Sequence, residues 1–179
     1  MTEREIIHGC INKKENCQRQ LFTLYAGKMM SVCLRYANDE QQAQDILQEG
    51  FIKVFKNMHQ YRFEGSFEGW LRRVFVTTAL REISRQKFYV SEMAVVDNAV
   101  YSIDPDVVSK ISADEIHSMI RQMPDGYRTI FNLNVIEGYS HEEIAGMLGI
   151  QATTSRGQLL KARRHLQEMI EKKYNTVKT

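Results

Sequence analysis

Near the C-terminal end stand Arg156, Gly157, Gln158, Lys161 and Arg164, residues of the types that read nucleic acid. Arginine and glutamine can each make two hydrogen bonds to a base edge in a major groove, lysine and arginine neutralise phosphates, and glycine lets the backbone come close. Such groups work only if one rigid face presents them. Leu159, Ala162, Leu166, Met169 and Ile170 fall at helical spacing between them, so the sequence predicts a helix with that apolar set inward and the polar set outward. Just upstream, Ser140 and Glu143 form a capping box, Ile144, Ala145 and Leu148 make a short apolar stripe, and Gly149 supplies a left-handed residue to close it. Ile150 then tucks inward, and the hydroxyls of Thr153, Thr154 and Ser155 are placed to cap the second helix. The two helices make a helix-turn-helix, and the competing reading is an ordinary solvated charged face.

Other chemistry is hard to find in the chain. Cys10, Cys17 and Cys33 are odd in number and lack CxxC spacing, so they read as reduced structural thiols. His8, His59, His117, His141 and His165 do not pair at metal-ligand spacing, and there is no Walker loop, dinucleotide fingerprint or nucleophile elbow. The expectation is a protein that is not an enzyme and needs no metal or other cofactor. A formal charge of +2 over 179 residues means that any nucleic-acid surface must come from local clustering. No apolar run reaches the roughly 20 residues of a membrane span, and Met1 to Glu5 shows no signal-peptide pattern, so a cytoplasmic protein without membrane insertion is expected.

Three-to-four-residue apolar spacing and only two prolines predict an all-α fold. After a start that is either frayed or a short helix, Leu21, Leu24, Tyr25, Lys28, Val32 and Tyr36 trace a helix from about Glu15 to Ala37. A second runs from about Glu40 to Met58 on Ala43, Ile46, Leu47, Gly50, Phe51, Val54 and Phe55, with Asp45, Gln48 and Glu49 outward. That acidic and amide patch reads either as solubilising surface or as a seat for a basic partner helix. In Tyr61-Arg62-Phe63-Glu64-Gly65 two aromatics flank a cation, a combination that suits an unstacked base as well as a loop packed on its own rings. Ser66 caps a helix to about Lys87, basic through Arg72, Arg73, Arg81, Arg85 and Lys87, with Arg73, Thr77, Arg81 and Ser84 on one stripe. Such a stripe beside an aromatic loop suits single-stranded DNA. The pattern decays from Val90 to Ser109, a linker. Ser112 with Glu115 opens a further helix, and Pro124 starts another at its first position, with Tyr127, Ile130, Phe131 and Val135 inward.

With both halves read, the chain resembles the extracytoplasmic-function branch of bacterial sigma factors, in the sigma-seventy superfamily. Met123-Pro124-Asp125-Gly126-Tyr127-Arg128, then Glu137 to Ala145 and Leu148-Gly149-Ile150, resemble the family's fourth domain. Asp45 to Phe55 resembles its polymerase-docking helix and Phe67 to Arg73 its promoter-melting helix; the likeness runs from about Leu21 to Ile170. The resemblance implies that Asp45, Gln48, Glu49 and Phe51 support docking on core RNA polymerase. It further implies that Tyr61, Arg62 and Phe63 lie in the loop capturing a flipped minus-ten base, and that Arg73, Thr77 and Arg81 contact the melted strand. Arg156, Gly157, Gln158, Leu160 and Lys161 are implied in reading the minus-thirty-five element of promoter DNA, and Arg164, further along the same helix, is placed for phosphates. The sequence departs from many members at Thr77, where they carry asparagine, and at Ser155-Arg156-Gly157, where they carry valine, a basic residue and serine. The second departure implies an altered minus-thirty-five sequence. An anti-sigma factor is the further partner that the family implies.

The expected organisation is therefore two small helical domains joined by a flexible linker, 1–89 for docking and the minus-ten element and 112–179 for the minus-thirty-five element, with 90–111 between them. The C-terminal domain is expected to be a four-helix helix-turn-helix module. The rival readings are a stand-alone helix-turn-helix regulator with a sensing or dimerising N-terminal half, and an adaptor or anti-sigma-like inhibitor. The basic face from Arg156 to Arg164 speaks against the inhibitor, which would more naturally present acid to a basic DNA reader.

Overall fold

The computed structural model describes residues 1–85 and 111–175, the side chains of Arg85 and Asn175 excepted, and the chain divides into two compact units, Met1–Gln86 and Lys87–Thr179. The linker expected over 90–111 lies outside the described residues apart from Ile111, as does Lys87. Every regular element among the described residues is helical.

Unit 1 begins with α1 (Glu3–Ile11), a full helix where the sequence left fraying open. Thr2 and Glu5 close a capping box over its first turn, and Ile6, Ile7 and Cys10 are buried. Then come α2 (Glu15–Tyr36), α3 (Glu40–Asn57), a 3-10 turn (Met58–Gln60) and α4 (Phe67–Arg85); α2, α3 and α4 pack on one another, and α1 packs on α2. The buried face of α2 is Cys17, Leu21, Tyr25, Met29, Val32, Cys33 and Tyr36. Leu24 and Lys28, expected inward, are exposed, because the small Cys33 and flexible Met29 complete a stripe one position round the helix from theirs. Lys28 instead reaches Glu68 of α4 at 2.6 Å. The Cys33 thiol is wholly buried, and burial pushes its pKa up to about 12, which leaves it inert.

The helices α3 and α4 approach each other closely. A Cβ on Gly50 would lie 2.2 Å from Cε1 of Phe75, a ring with no exposed surface. Phe75 in turn meets Phe51 edge-on at 5.2 Å.

Unit 2 holds α5 (Ala113–Gln122), α6 (Asp125–Phe131), a π turn (Asn132–Ile136), α7 (His141–Leu148) and α8 (Ala152–Asn175), with α8 packed on α5, α6 and α7. Pro124 is the residue before α6 rather than its first helical position. Arg128 is buried, donating to Asp125 at 2.8 Å and to the Arg121 carbonyl at 3.0 Å, so it staples the end of α5 to α6. Val135, expected inward, is exposed because the π turn adds a residue and rotates the helical register after Phe131. Glu115 completes the capping box with Ser112 and also accepts from Lys173 at 2.6 Å and Tyr174 at 3.2 Å, tying the start of α5 to the end of α8. The lysine, then the cap, draws its carboxyl pKa down to about 2.

Two outcomes follow from this packing. Gly50→Ala must push Phe75 out of place, and the overpacking should destabilise unit 1 by about 1–3 kcal/mol in denaturant unfolding. For Glu115 the folded pKa lies below the ordinary 4.5, so its contribution is present above that value and is lost as pH falls toward 2. Unfolding of unit 2 followed by pH titration should show that loss in the parent, and a flatter profile in Glu115→Gln.

Candidate nucleic-acid interface

The helix-turn-helix of unit 2 is built from local chemistry. Ser140 accepts from the Glu143 amide at 3.2 Å while the Glu143 carboxylate accepts from the Ser140 amide at 2.8 Å, which fixes where α7 starts. Gly149 ends it at φ +68°, a conformation that favours glycine, and sends the chain into α8 within a few residues. Two side-chain contacts then span the turn. His141 Nδ1 and the buried Ser155 hydroxyl share a hydrogen bond of 2.9 Å, and Arg156 donates to Glu142 at 2.5 Å.

Because α8 begins at Ala152, the Thr153, Thr154 and Ser155 hydroxyls sit inside its first turns and do not cap it from outside. Arg156, Leu160, Arg163 and Arg164 are exposed along the outward side, with Gly157 and Lys161 half-buried. Gln158 corrects the sequence reading. It is 8% exposed, on the inward side with Ser155, Leu159 and Ala162, because helical spacing from those residues overrides its polar type. Arg163, seven residues after Arg156 and so on the same face, was missed, although the spacing alone contains the signal.

In unit 1, Asp45 and Gln48 are exposed on α3 and Glu49 is half-buried, paired with Lys53 at 3.3 Å. Phe51, expected on the inward stripe of this helix and implied in docking by the resemblance, is buried at 4% among Phe22, Phe55 and Phe75, beneath that face. Arg73, Thr77, Arg81 and Ser84 are exposed together along α4. The Thr77 hydroxyl donates back to the carbonyls of Arg73 and Val74, leaving its oxygen as an acceptor on that stripe.

The loop between α3 and α4 is more closed than its sequence suggests. Tyr61 is buried, donates to the Gly65 carbonyl at 3.0 Å, and packs against Phe67 and Trp70. Arg62 is exposed, and Phe63 is half-buried with φ +59°. His8 and Arg4 of α1 reach Phe63 from outside the loop. Nothing in the sequence links α1 to this loop, since the contact depends on how the helix folds back.

Two helical units, one a helix-turn-helix with a basic outward stripe and the other with an acidic patch and a basic stripe, define a modular DNA-binding transcription protein. The sequence matches the families described as "Sigma-70 region 2" over residues 21–89 and "Sigma-70, region 4" over residues 113–166. It is 26% identical over 159 residues to the RNA polymerase sigma-H factor of Pseudomonas aeruginosa, covering 82% of each chain. To the ECF RNA polymerase sigma factor SigW of Bacillus subtilis it is 28% identical over 160 residues, covering 82% of this chain and 85% of that one. The solved structure of CnrH in complex with the cytosolic domain of CnrY matches the fold with a TM-score of 0.52 at 16% identity, over 94% of this chain and 97% of that one. The chain belongs to the extracytoplasmic-function branch of the sigma-70 family of RNA polymerase sigma factors. It directs core polymerase to promoters and aids DNA opening. No described helix is long and apolar enough to cross a membrane.

Proposed function

We propose that unit 2 reads the minus-thirty-five element through Arg156, Gly157, Leu160, Lys161, Arg163 and Arg164, while unit 1 docks on core polymerase and holds the melted minus-ten strand. The observation that carries this is the exposed stripe on α8, in which an arginine, a leucine and a further arginine recur at one helical face beside the turn. The exposed Leu160 on this face offers apolar contact to a thymine methyl. Arg156 can leave Glu142 readily. Both side chains are more than half exposed, so their pair is worth about 0–1 kcal/mol, against about 1–3 kcal/mol for a bidentate contact with a base.

Docking is assigned to the acidic side of α3, Asp45, Gln48 and Glu49, above the buried Phe51. The minus-ten strand is assigned to Phe63, Arg62 and the Arg73, Thr77, Arg81 stripe, with Tyr61 as the ring that shapes the loop. The protein acts in the cytoplasm, where its polymerase is, and has no catalytic step of its own. In its solved structure CnrH is in complex with the cytosolic domain of CnrY, and an anti-sigma factor is the corresponding partner here. Run-off transcription with purified core polymerase and a genomic promoter library tests the whole reading: one promoter class should be enriched, and enrichment of none overturns it.

Charge reversal separates docking from DNA reading. Asp45→Lys with Glu49→Lys leaves the buried stripe of α3 intact, so helicity should be unchanged while affinity for core polymerase falls about tenfold or more, read by pull-down. On α8, Arg156→Ala in the holoenzyme should lose about 1–3 kcal/mol on the cognate minus-thirty-five element and relax selectivity at one base. Lys161→Ala or Arg164→Ala should instead weaken all sequences alike and lower the salt slope by about one. A base-substitution scan in which Arg156→Ala weakens every sequence by the same factor makes it a phosphate clamp.

A further inference from the structure

In unit 1 the ring of Phe63 is held from outside its own loop. The His8 imidazole stacks on it with centroids 4.8 Å apart and planes inclined by 26°, and the Arg4 guanidinium carbon lies 5.4 Å from its centroid. His8 and Arg4 are one turn apart on α1, and both are exposed, while Ile6, Ile7 and Cys10 anchor the same helix in the core. Phe63 itself sits at φ +59°, which a residue with a side chain adopts only where its surroundings hold it. Within the loop, Tyr61 abuts the same ring at 5.0 Å and is itself locked by Phe67, Trp70 and the Gly65 carbonyl. Tyr61 is thus the fixed wall, and His8 is the exposed flat group that can be removed.

We propose that α1 is a working part of the single-strand reader: His8 occupies the stacking face of Phe63 in the free protein and is exchanged there for an unpaired nucleobase, with Arg4 beside it to meet the strand's phosphate. This rests on the assignment of the Tyr61–Gly65 loop to the minus-ten strand. Two planar groups cannot share one face, so base capture is a substitution of one stack by another. An aromatic pair is worth a factor of about two to ten in an equilibrium, and a base stacked on an aromatic side chain about five- to a hundredfold or more. The base wins, but only by what it gains over the imidazole. His8 therefore sets a threshold that a poorly stacking base does not pass, and Arg4, at one turn's distance, stays available when the imidazole leaves.

The test uses holoenzyme and a forked duplex whose single-stranded arm comes from a promoter recovered by the run-off selection, with 2-aminopurine at each arm position in turn. His8→Ala should tighten arm binding and deepen the quench at the captured position by about two- to tenfold, leaving fully duplex DNA unaffected. His8→Trp, which offers a better-stacking competitor, should weaken arm binding by a similar factor. Arg4→Gln should lower the salt slope on the forked probe by about one. His8→Ala that weakens the arm or leaves it unchanged overturns the proposal, because a helix that only props the loop would give that result. Phe63→Ala serves as the control. If it loses arm binding while His8→Ala gains nothing, the loop assignment stands and the exchange fails; if it binds the arm like the parent, the loop assignment itself fails and the exchange with it.

Discussion

Unit 1 depends on the place where α3 and α4 come closest, with Phe75 filling the space that a side chain on Gly50 would take. That contact fixes the two helices at a separation no larger side chain would permit, and both candidate faces of the unit are carried on them. Asp45 and Gln48 project from α3 because Ile46, Gly50 and Val54 are buried on its other side, and Arg73, Thr77 and Arg81 project from α4 because Leu71, Phe75 and Val76 are buried. The rigid core does not touch a partner. It sets the spacing at which an acidic face and a basic face are offered.

In unit 2 the equivalent constraint is smaller and polar. The His141–Ser155 hydrogen bond crosses the turn between α7 and α8, and Ser155 has no exposed surface. A buried hydroxyl without a partner is costly, so the bond favours one register of the two helices and fixes where the outward stripe of α8 points. The same serine stands at a departure from the family pattern, where many members carry valine. There an apolar contact would do the packing that a hydrogen bond does here, which alters how the turn is held and leaves Arg156 next to it as the proposed reading residue.

Features with a local cause were legible in the sequence. The Ser112–Glu115 and Ser140–Glu143 boxes and the Gly149 stop each depend on a few neighbouring residues, and the structure has all three. Residue type misled where long-range packing decides. Gln158 is polar yet sits inward because Ser155, Leu159 and Ala162 share its face, and Val135 turns outward after a π turn that no periodicity announces. Contacts far apart in sequence, such as His8 on Phe63, have no local signature at all.

Both proposed reading groups are already engaged in the free chain, Arg156 by Glu142 and Phe63 by His8. Each competitor is exposed and held by a single weak contact, so neither blocks its site. Each does lower the apparent affinity for every ligand by the same small factor, as any occupied binding-competent state must. Nonspecific DNA, which offers only phosphates, gains little from displacing Glu142, since Arg156 then trades one anion for another. A guanine edge offers two directed hydrogen bonds, and an unpaired base offers a wider stacking surface than an imidazole. Every ligand that must displace the competitor loses that same factor, so one with little net gain is left unbound at concentrations where a strong one still binds. A chain with a formal charge of only +2 has little general attraction to DNA to overcome, so contacts worth about 1 kcal/mol are large enough to matter.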